Sequence, residues 1–153
     1  MIKILITLAA FLSMEAIAWF THKYVMHGLL WILHKDHHKK ETSGFFERND
    51  FFFLIFAIPG IIGLFLGMQN GFNYLFWIGL GITLYGFAYF LVHDIFIHQR
   101  FKFLRNIDND YFKAIRRAHK MHHKHVEKHD GECFGMLWVP LKYFRTSGTI
   151  IQQ

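Results

Sequence analysis

The sequence predicts an all-α integral membrane protein, with three transmembrane helices and, on one side of the bilayer, interfacial helices rich in histidine. Three observations predict it. Hydrophobic residues make up 53% of the 153-residue chain and are gathered into long runs. Positive charge is confined almost wholly to the segments on one side of those runs. Of twelve histidines, ten fall into four spaced clusters beside the runs. The formal charge of +6 does not make this a soluble nucleic-acid binder, because the apolar residues are grouped and not dispersed. The one cysteine, Cys133, excludes an intrachain disulfide framework and the cysteine-rich zinc patterns, and is expected to be a packed residue.

Each span follows from length and polarity. Ile4 to Phe20 is apolar except for Thr7, Ser13 and Glu15, while Phe51 to Met68 and Phe72 to Val92 carry no charge. A helix crosses a bilayer with about 20 mostly apolar residues, range ~17–25. With polar ends included, the spans are expected at about 4–27, 51–68 and 72–98, within one membrane-embedded domain, 1–153. Lys3 followed by an apolar run resembles a secretion signal, but no clear small-x-small cleavage site precedes the polar residues and the run continues into the first histidine pair, so the helix is expected to be retained.

Between spans one and two, Leu33 to Lys40 is polar and suited to an interfacial helix, and Gly44 with Glu47-Arg48-Asn49-Asp50 marks the entry to span two. Pro59-Gly60 lies inside span two, where a membrane helix tolerates proline. Gly63-Leu-Phe-Leu-Gly67 would admit a second helix closely, from this subunit or another. Asn70-Gly71 is the expected tip of a tight hairpin. Residues 108–125 predict a further helix, capped by Asp108, with Tyr111, Phe112, Ile115 and Ala118 as its apolar stripe. Its interleaved Lys113, Arg116, Arg117 and Lys120 predict a helix lying against anionic headgroups. Phe134 to Phe144 is aromatic, too short to span and interrupted by Pro140; it is expected at the interface, walling the site.

Charge placement orients the chain. Only Lys3 precedes span one; Lys23, Lys35, Lys39, Lys40 and Arg48 lie between spans one and two, and the other eleven of the 17 Lys and Arg residues follow span three. The positive-inside rule then places the amino terminus outside and both the 21–50 segment and the carboxyl tail in the cytoplasm. All four histidine clusters fall on that one face.

The clusters read His22-x4-His27, His34-x2-His37-His38, His93-x4-His98 and His119-x2-His122-His123. Neutral imidazole is the commonest protein ligand for transition metals. On a helix, positions i, i+3 and i+4 share a face, so each triplet converges, on one ion or split between two. An i, i+5 step turns about 140° on an α-helix, so each pair must flank a cluster held between helices or sit where the helix distorts. A lone histidine at a helix end is more often a headgroup contact; four clusters in this order on one face reverse that expectation. Ten ligands over two ions leave room for oxygen in a six-coordinate shell, whereas one structural zinc needs four. Iron is the first choice, with manganese or zinc as other occupants. His125 and His129 fall outside the pattern and are expected at the surface or behind the ligands. Three acids could support the site: Asp94 by orienting the His98 ring, Asp36 within the second cluster, and Glu15 two turns before His22.

These residues resemble the histidine-box membrane hydroxylases and desaturases of the fatty-acid-hydroxylase superfamily, and within it the bacterial carotenoid β-ring hydroxylases. The likeness rests on Met14-Glu15, His22 to Gly28, His34 to His38, Asn49-Asp50, Tyr85-Gly86, Tyr89-Phe90, Val92 to Phe101, Ala118 to His123 and Phe134-Gly135. It covers nearly the whole chain, with a looser match after His123. It implies a non-haem di-iron monooxygenase in a bacterial inner membrane, using dioxygen and electrons from reduced ferredoxin. The implied reaction is hydroxylation at carbon 3 of the β-ring, taking β-carotene through β-cryptoxanthin to zeaxanthin by hydrogen abstraction and hydroxyl rebound, with keto-carotenoids as alternative substrates. An unactivated C–H bond offers nothing to an acid or base, so metal must carry such chemistry. A basic cytoplasmic surface suits an acidic electron donor.

Aromatic residues are 19% of the chain, and Tyr85, Tyr89, Phe90, Phe134 and Trp138 are expected against the polyene. Three rivals stand beside this expectation. One is a hydroxylase or desaturase of fatty-acyl or sterol lipid, separable by its products. The second is a bis-histidine haem protein, which would need ligands paired within the membrane. The third is a metal transporter or metal-binding scaffold, which would want polar groups near mid-membrane, where only Glu15 stands.

Overall fold

The computed structural model describes residues 1–39, 44–101, 104, 106–126 and 132–144. Their regular elements are all helices, with no strand among them. The α-helices are α1 (Ile2–Phe20), α2 (Trp31–His38), α3 (Phe51–Gln69), α4 (Tyr74–Tyr89) and α5 (Asp110–Lys124). Two π-helical segments continue α1 and α4 without a break, over Thr21–Leu29 and Phe90–Ile97. Three helical runs, Ile2–Leu29, Arg48–Gln69 and Tyr74–Ile97, are long and apolar enough to cross a membrane, the first kinked near its end at Gly28. The chain is an all-α membrane protein.

Helices α3 and α4 form the predicted hairpin, and α4 also packs on α1. The hairpin's close approach comes from missing side chains. A Cβ at Gly63 would stand 3.0 Å from the Gly79 Cα, one at Gly79 would stand 2.5 Å from the Leu64 nitrogen, and one at Gly67 would enter the Phe76 backbone. On the other face of α4, a Cβ at Gly81 would stand 2.5 Å from the Thr7 carbonyl oxygen of α1. The small-residue pattern in α3 therefore serves packing inside the subunit. Span three begins later than expected: Phe72 is left-handed (φ 57°), and Asn73 caps the helix, its side chain accepting from the Leu75 N–H at 3.0 Å.

Helix α5 differs from its expected form in two respects. Its cap is Asn109, whose side chain accepts from Tyr111 and Phe112 N–H groups, while Asp108 pairs with Lys113. Two of its expected headgroup cations also turn inward. Arg116 donates to the Phe96 carbonyl at 2.9 Å and lies 3.9 Å over its ring, and Arg117 donates to the Tyr143 carbonyl at 2.9 Å. The buried stripe is Ala114, Ile115, Ala118 and His122; Tyr111 and Phe112 are half-buried beside it. Tyr143, in a short 3-10 turn after Pro140, closes over Ala114 and Ala118.

Candidate metal centre

The two HX4H pairs sit in the two π-helical segments. There the chain bonds five residues back: the Leu30 N–H donates to the Val25 carbonyl at 2.8 Å, and the His98 N–H to the His93 carbonyl at 2.9 Å. Five-back bonding widens the turn, so residues i and i+5 come to neighbour each other where an α-helix would splay them. The His22 and His27 rings lie 5.1 Å apart, and the His93 and His98 rings 4.6 Å apart. The distortion contemplated for these pairs is what makes them pairs.

The ten histidines gather into two adjoining groups. His22, His27, His34, His38 and His122 form one; His37, His93, His98 and His119 form the other; each set of ligand atoms lies within 4.8 Å of one another. His123 belongs beside the second, its Nε2 2.8 Å from that of His119. Each triplet is thus split. Its first and last members stay with the pair from their own half of the chain, and its middle member, His37 or His122, crosses to the other group. The groups share a wall, where the His38 and His123 rings stack at 4.4 Å.

The ring nitrogens show that these groups fit metal ions. A carbonyl oxygen only accepts, so a ring nitrogen bonded to one must carry the proton. The Nδ1 atoms of His22, His27 and His122 donate to the carbonyls of Phe134 (2.9 Å), Val126 (2.6 Å) and Glu132 (3.1 Å). In the neutral rings, Nε2 is then a bare lone pair. Yet the Nε2 atoms of His27 and His122 face each other at 3.2 Å, and those of His22 and His34 at 3.0 Å. Two bare lone pairs repel unless a cation lies between them. His34 Nδ1 is held by the Asn49 side-chain oxygen at 2.6 Å and His37 Nδ1 by Glu47 at 2.9 Å. The buried Nε2 atoms of His37 and His93 have no hydrogen-bond partner among the described residues.

Burial keeps the imidazoles of the two triplets neutral, as a ligand must be. It is the main cause that lowers His34 to about 3, His122 to about 2 and His123 to about 4 from the usual 6.5. Burial, reinforced by neighbouring imidazoles, also lowers His37, His38, His98 and His119.

The three acids stand in three different relations to the site. Glu15 hydrogen-bonds to no histidine among the described residues. Its Oε1 accepts from three successive backbone N–H groups, Met136 (2.9 Å), Leu137 (2.8 Å) and Trp138 (3.0 Å), and its Oε2 accepts from the Tyr85 hydroxyl at 2.7 Å. It thereby ties the 132–138 segment across the site, and that segment carries the carbonyls that hold His22 and His122. Asp94 lies beside His93 (3.4 Å) and Arg100 (3.3 Å), not beside His98 as its spacing had suggested. Asp36 is buried and accepts from the Arg48 N–H at 2.7 Å. His125 is exposed and donates to the Met121 carbonyl, and His129 lies outside the described residues.

Sequence reasoning placed Glu47, Asn49, Asp50 and Arg100 at the ends of spans and in the resemblance, but gave them no part in holding the histidines. They form one network: Arg100 pairs with Asp50 (2.7 Å) and Glu47 (3.2 Å), while Glu47 and Asn49 hold histidines. The signal was present as a polar run abutting an uncharged span.

An apolar cleft opens beneath the two groups. His22 and His93, one from each, form its end beside Asn49, Asp50 and Asp94, and Phe52, Phe56, Tyr85, Tyr89 and Phe134 line its walls. Phe90 lines a second groove farther out, and Trp138, 81% exposed, lines not this cleft but a small adjoining pocket that shares His22, Tyr89, His93 and Phe134 with it.

Membrane-long helices carrying two polyhistidine groups at the end of an apolar cleft define a class: a membrane-embedded, metal-dependent enzyme that works on apolar substrates. The particular family follows from comparison with known proteins. The family model described as fatty acid hydroxylase matches residues 7–145. A "Beta-carotene hydroxylase" of Pantoea ananas is 41% identical over 136 residues, covering 89% of this chain and 77% of that protein. Another from Paracoccus sp. (strain PC1) is 36% identical over 92% of this chain and 86% of its own length. A "Beta-carotene 3-hydroxylase 2, chloroplastic" of Arabidopsis thaliana is 34% identical over 94% of this chain and 47% of its own length. No solved structure matches. The chain belongs to the fatty acid hydroxylase family, and it is an oxygenase.

Proposed function

We propose that this chain is a carotenoid β-ring 3-hydroxylase that carries two non-haem irons and converts β-carotene through β-cryptoxanthin to zeaxanthin. The observation that carries the reading is the convergence of bare imidazole nitrogens, His27 with His122 and His22 with His34, at the end of an apolar, aromatic cleft. The relatives named for β-carotene hydroxylation, matched over most of this chain, supply the substrate class.

His22, His27, His34, His38 and His122 would hold one iron, and His37, His93, His98, His119 and His123 the other. Bound there, iron supplies the activation of dioxygen that an unactivated C–H bond requires. The chain's own contribution is arrangement. The carbonyls of Phe134, Val126 and Glu132 and the side chains of Asn49 and Glu47 hold the rings in the tautomer that turns Nε2 toward the ion. Phe52, Phe56, Tyr85 and Tyr89 exclude water and seat a β-ring between His22 and His93.

Electrons would come from a ferredoxin-type acidic donor at the basic face, on the cytoplasmic side of a bacterial inner membrane with the amino terminus outside. Salt-insensitive reduction would count against that docking. The test is pigment chromatography of a β-carotene-accumulating bacterium expressing this chain, beside a His122→Ala control. Zeaxanthin with the native chain and none with the control is expected. Unchanged β-carotene with iron-loaded, reductant-supplied protein would overturn the substrate in favour of another membrane lipid.

A further inference from the structure

Six glycines lie in α3 and α4: Gly60, Gly63, Gly67, Gly79, Gly81 and Gly86. Five have a packing reason, since a Cβ at each would meet a neighbouring helix at 3.0 Å or less. Gly86 does not: a Cβ there meets none of the described residues within 4 Å. Its φ is not in the left-handed region, so no turn requires it. Glycine in a helix interior is otherwise unfavourable compared with alanine. No described residue of this chain fills the gap at Gly86, which leaves it open to a ligand.

The surroundings say what. Gly86 lines the inner cleft that ends at His22 and His93, and it also lines a second groove between α3 and α4, apolar but for Thr83, whose hydroxyl donates to the Gly79 carbonyl. That outer groove, about 310 Å³, is walled by Ala57, Ile61, Ile82, Phe87 and Phe90 and shares Phe53, Phe56 and Gly86 with the inner cleft. The inner cleft, about 80 Å³, has no room for more than one end of a long substrate. Whatever remains of that substrate must leave past Gly86, and a groove with hardly a polar atom suits only hydrocarbon.

We propose that Gly86 is the passage between ring site and groove, and that the groove carries the polyene of a carotenoid whose ring is presented to the histidines. The inference rests on the carotenoid reading above. It makes Gly86 a positioning residue: a larger side chain would stop the substrate's advance without touching a histidine or a helix contact. Ala57, on the facing helix and absent from the inner cleft, offers an independent obstruction.

The experiment compares the native chain with Gly86→Leu and Ala57→Phe in β-carotene-accumulating cells, measuring zeaxanthin formed, iron per purified chain and β-carotene co-purifying with it. Each substitution is expected to lower zeaxanthin by about ten-fold or more and to reduce co-purifying pigment, with iron unchanged. Native conversion by either iron-loaded variant would overturn the passage. So would loss of iron from both, which would make them packing residues. Failure of the native chain itself to oxidise β-carotene would instead sink the substrate reading on which the passage depends.

Discussion

At the scale of single residues, the site depends on groups that fix which ring nitrogen faces inward. Glu47 illustrates it: its carboxylate accepts from His37 Nδ1, while Arg100 holds the carboxylate from the other side. Without it, His37 is free to turn or change tautomer. Glu47→Ala should weaken binding at the group containing His37 by about 10–100-fold and spare the other. Iron titration into metal-stripped protein would then resolve one tight and one weak site; two sites of native affinity would refute the role. The imidazoles also set a pH limit. In the folded chain His34, His122 and His123 sit at about 3, 2 and 4, below the ordinary 6.5. Between those values and 6.5, the unfolded chain binds more protons than the folded one. The contribution these groups make to stability is thus complete above about pH 6.5 and is lost progressively as pH falls. The melting temperature of metal-free protein should drop from pH 7.5 to pH 5, and a flat or rising profile would contradict this.

At the scale of elements, the π-helical ends of α1 and α4 are the devices that convert a five-residue spacing into a ligand pair. Inserting one alanine after Ile97 should carry His98 off the face it shares with His93, because neither a π-turn nor an α-turn brings residues i and i+6 together. His98 would then swing away from His93 and His119, to which it is now apposed at 4.6 and 4.8 Å between ring centroids. Iron content is expected to fall from two toward one per chain, with loss of activity. Retention of two irons would mean that the helical register does not place the ligand.

At the scale of the whole molecule, the site is closed by a contact that spans most of the chain. Glu15 in α1 gathers the N–H groups of Met136, Leu137 and Trp138, and Gly135 permits the approach, since a Cβ there would lie 2.6 Å from Glu15 Oε1. That strap supplies the Phe134 and Glu132 carbonyls to His22 and His122. Hydrogen bonds to a charged group contribute about 1.5–3 kcal/mol each, so Glu15→Gln should loosen the strap more than any exposed substitution. Faster proteolysis within residues 132–144 and lower iron retention in the membrane-embedded protein are expected. Unchanged cleavage and iron would remove Glu15 from the site's support.

What the sequence determined alone was local and periodic. An uncharged run long enough to cross a bilayer must hide its backbone polar groups in a helix, so α1, α3 and α4 were legible from Ile4, Phe51 and Phe72 onward. The four histidine patterns announced ten ligand candidates because metal chemistry requires particular side chains. Two ions with five histidines each was likewise an arithmetic expectation. Tertiary structure decided the partition, in which His37 and His122 cross between groups while their i−3 and i+1 neighbours stay. No spacing encodes that exchange, because one helix face presents all three rings and only the opposing helix selects among them. It also decided which carbonyls hold the rings. Every residue carries a carbonyl, so Phe134, Val126 and Glu132 bear no mark in the sequence, and Arg116 reads as a headgroup cation until Phe96 is seen beneath it. Side-chain chemistry is written in one dimension; the aim of backbone groups and the choice between faces exist only in three.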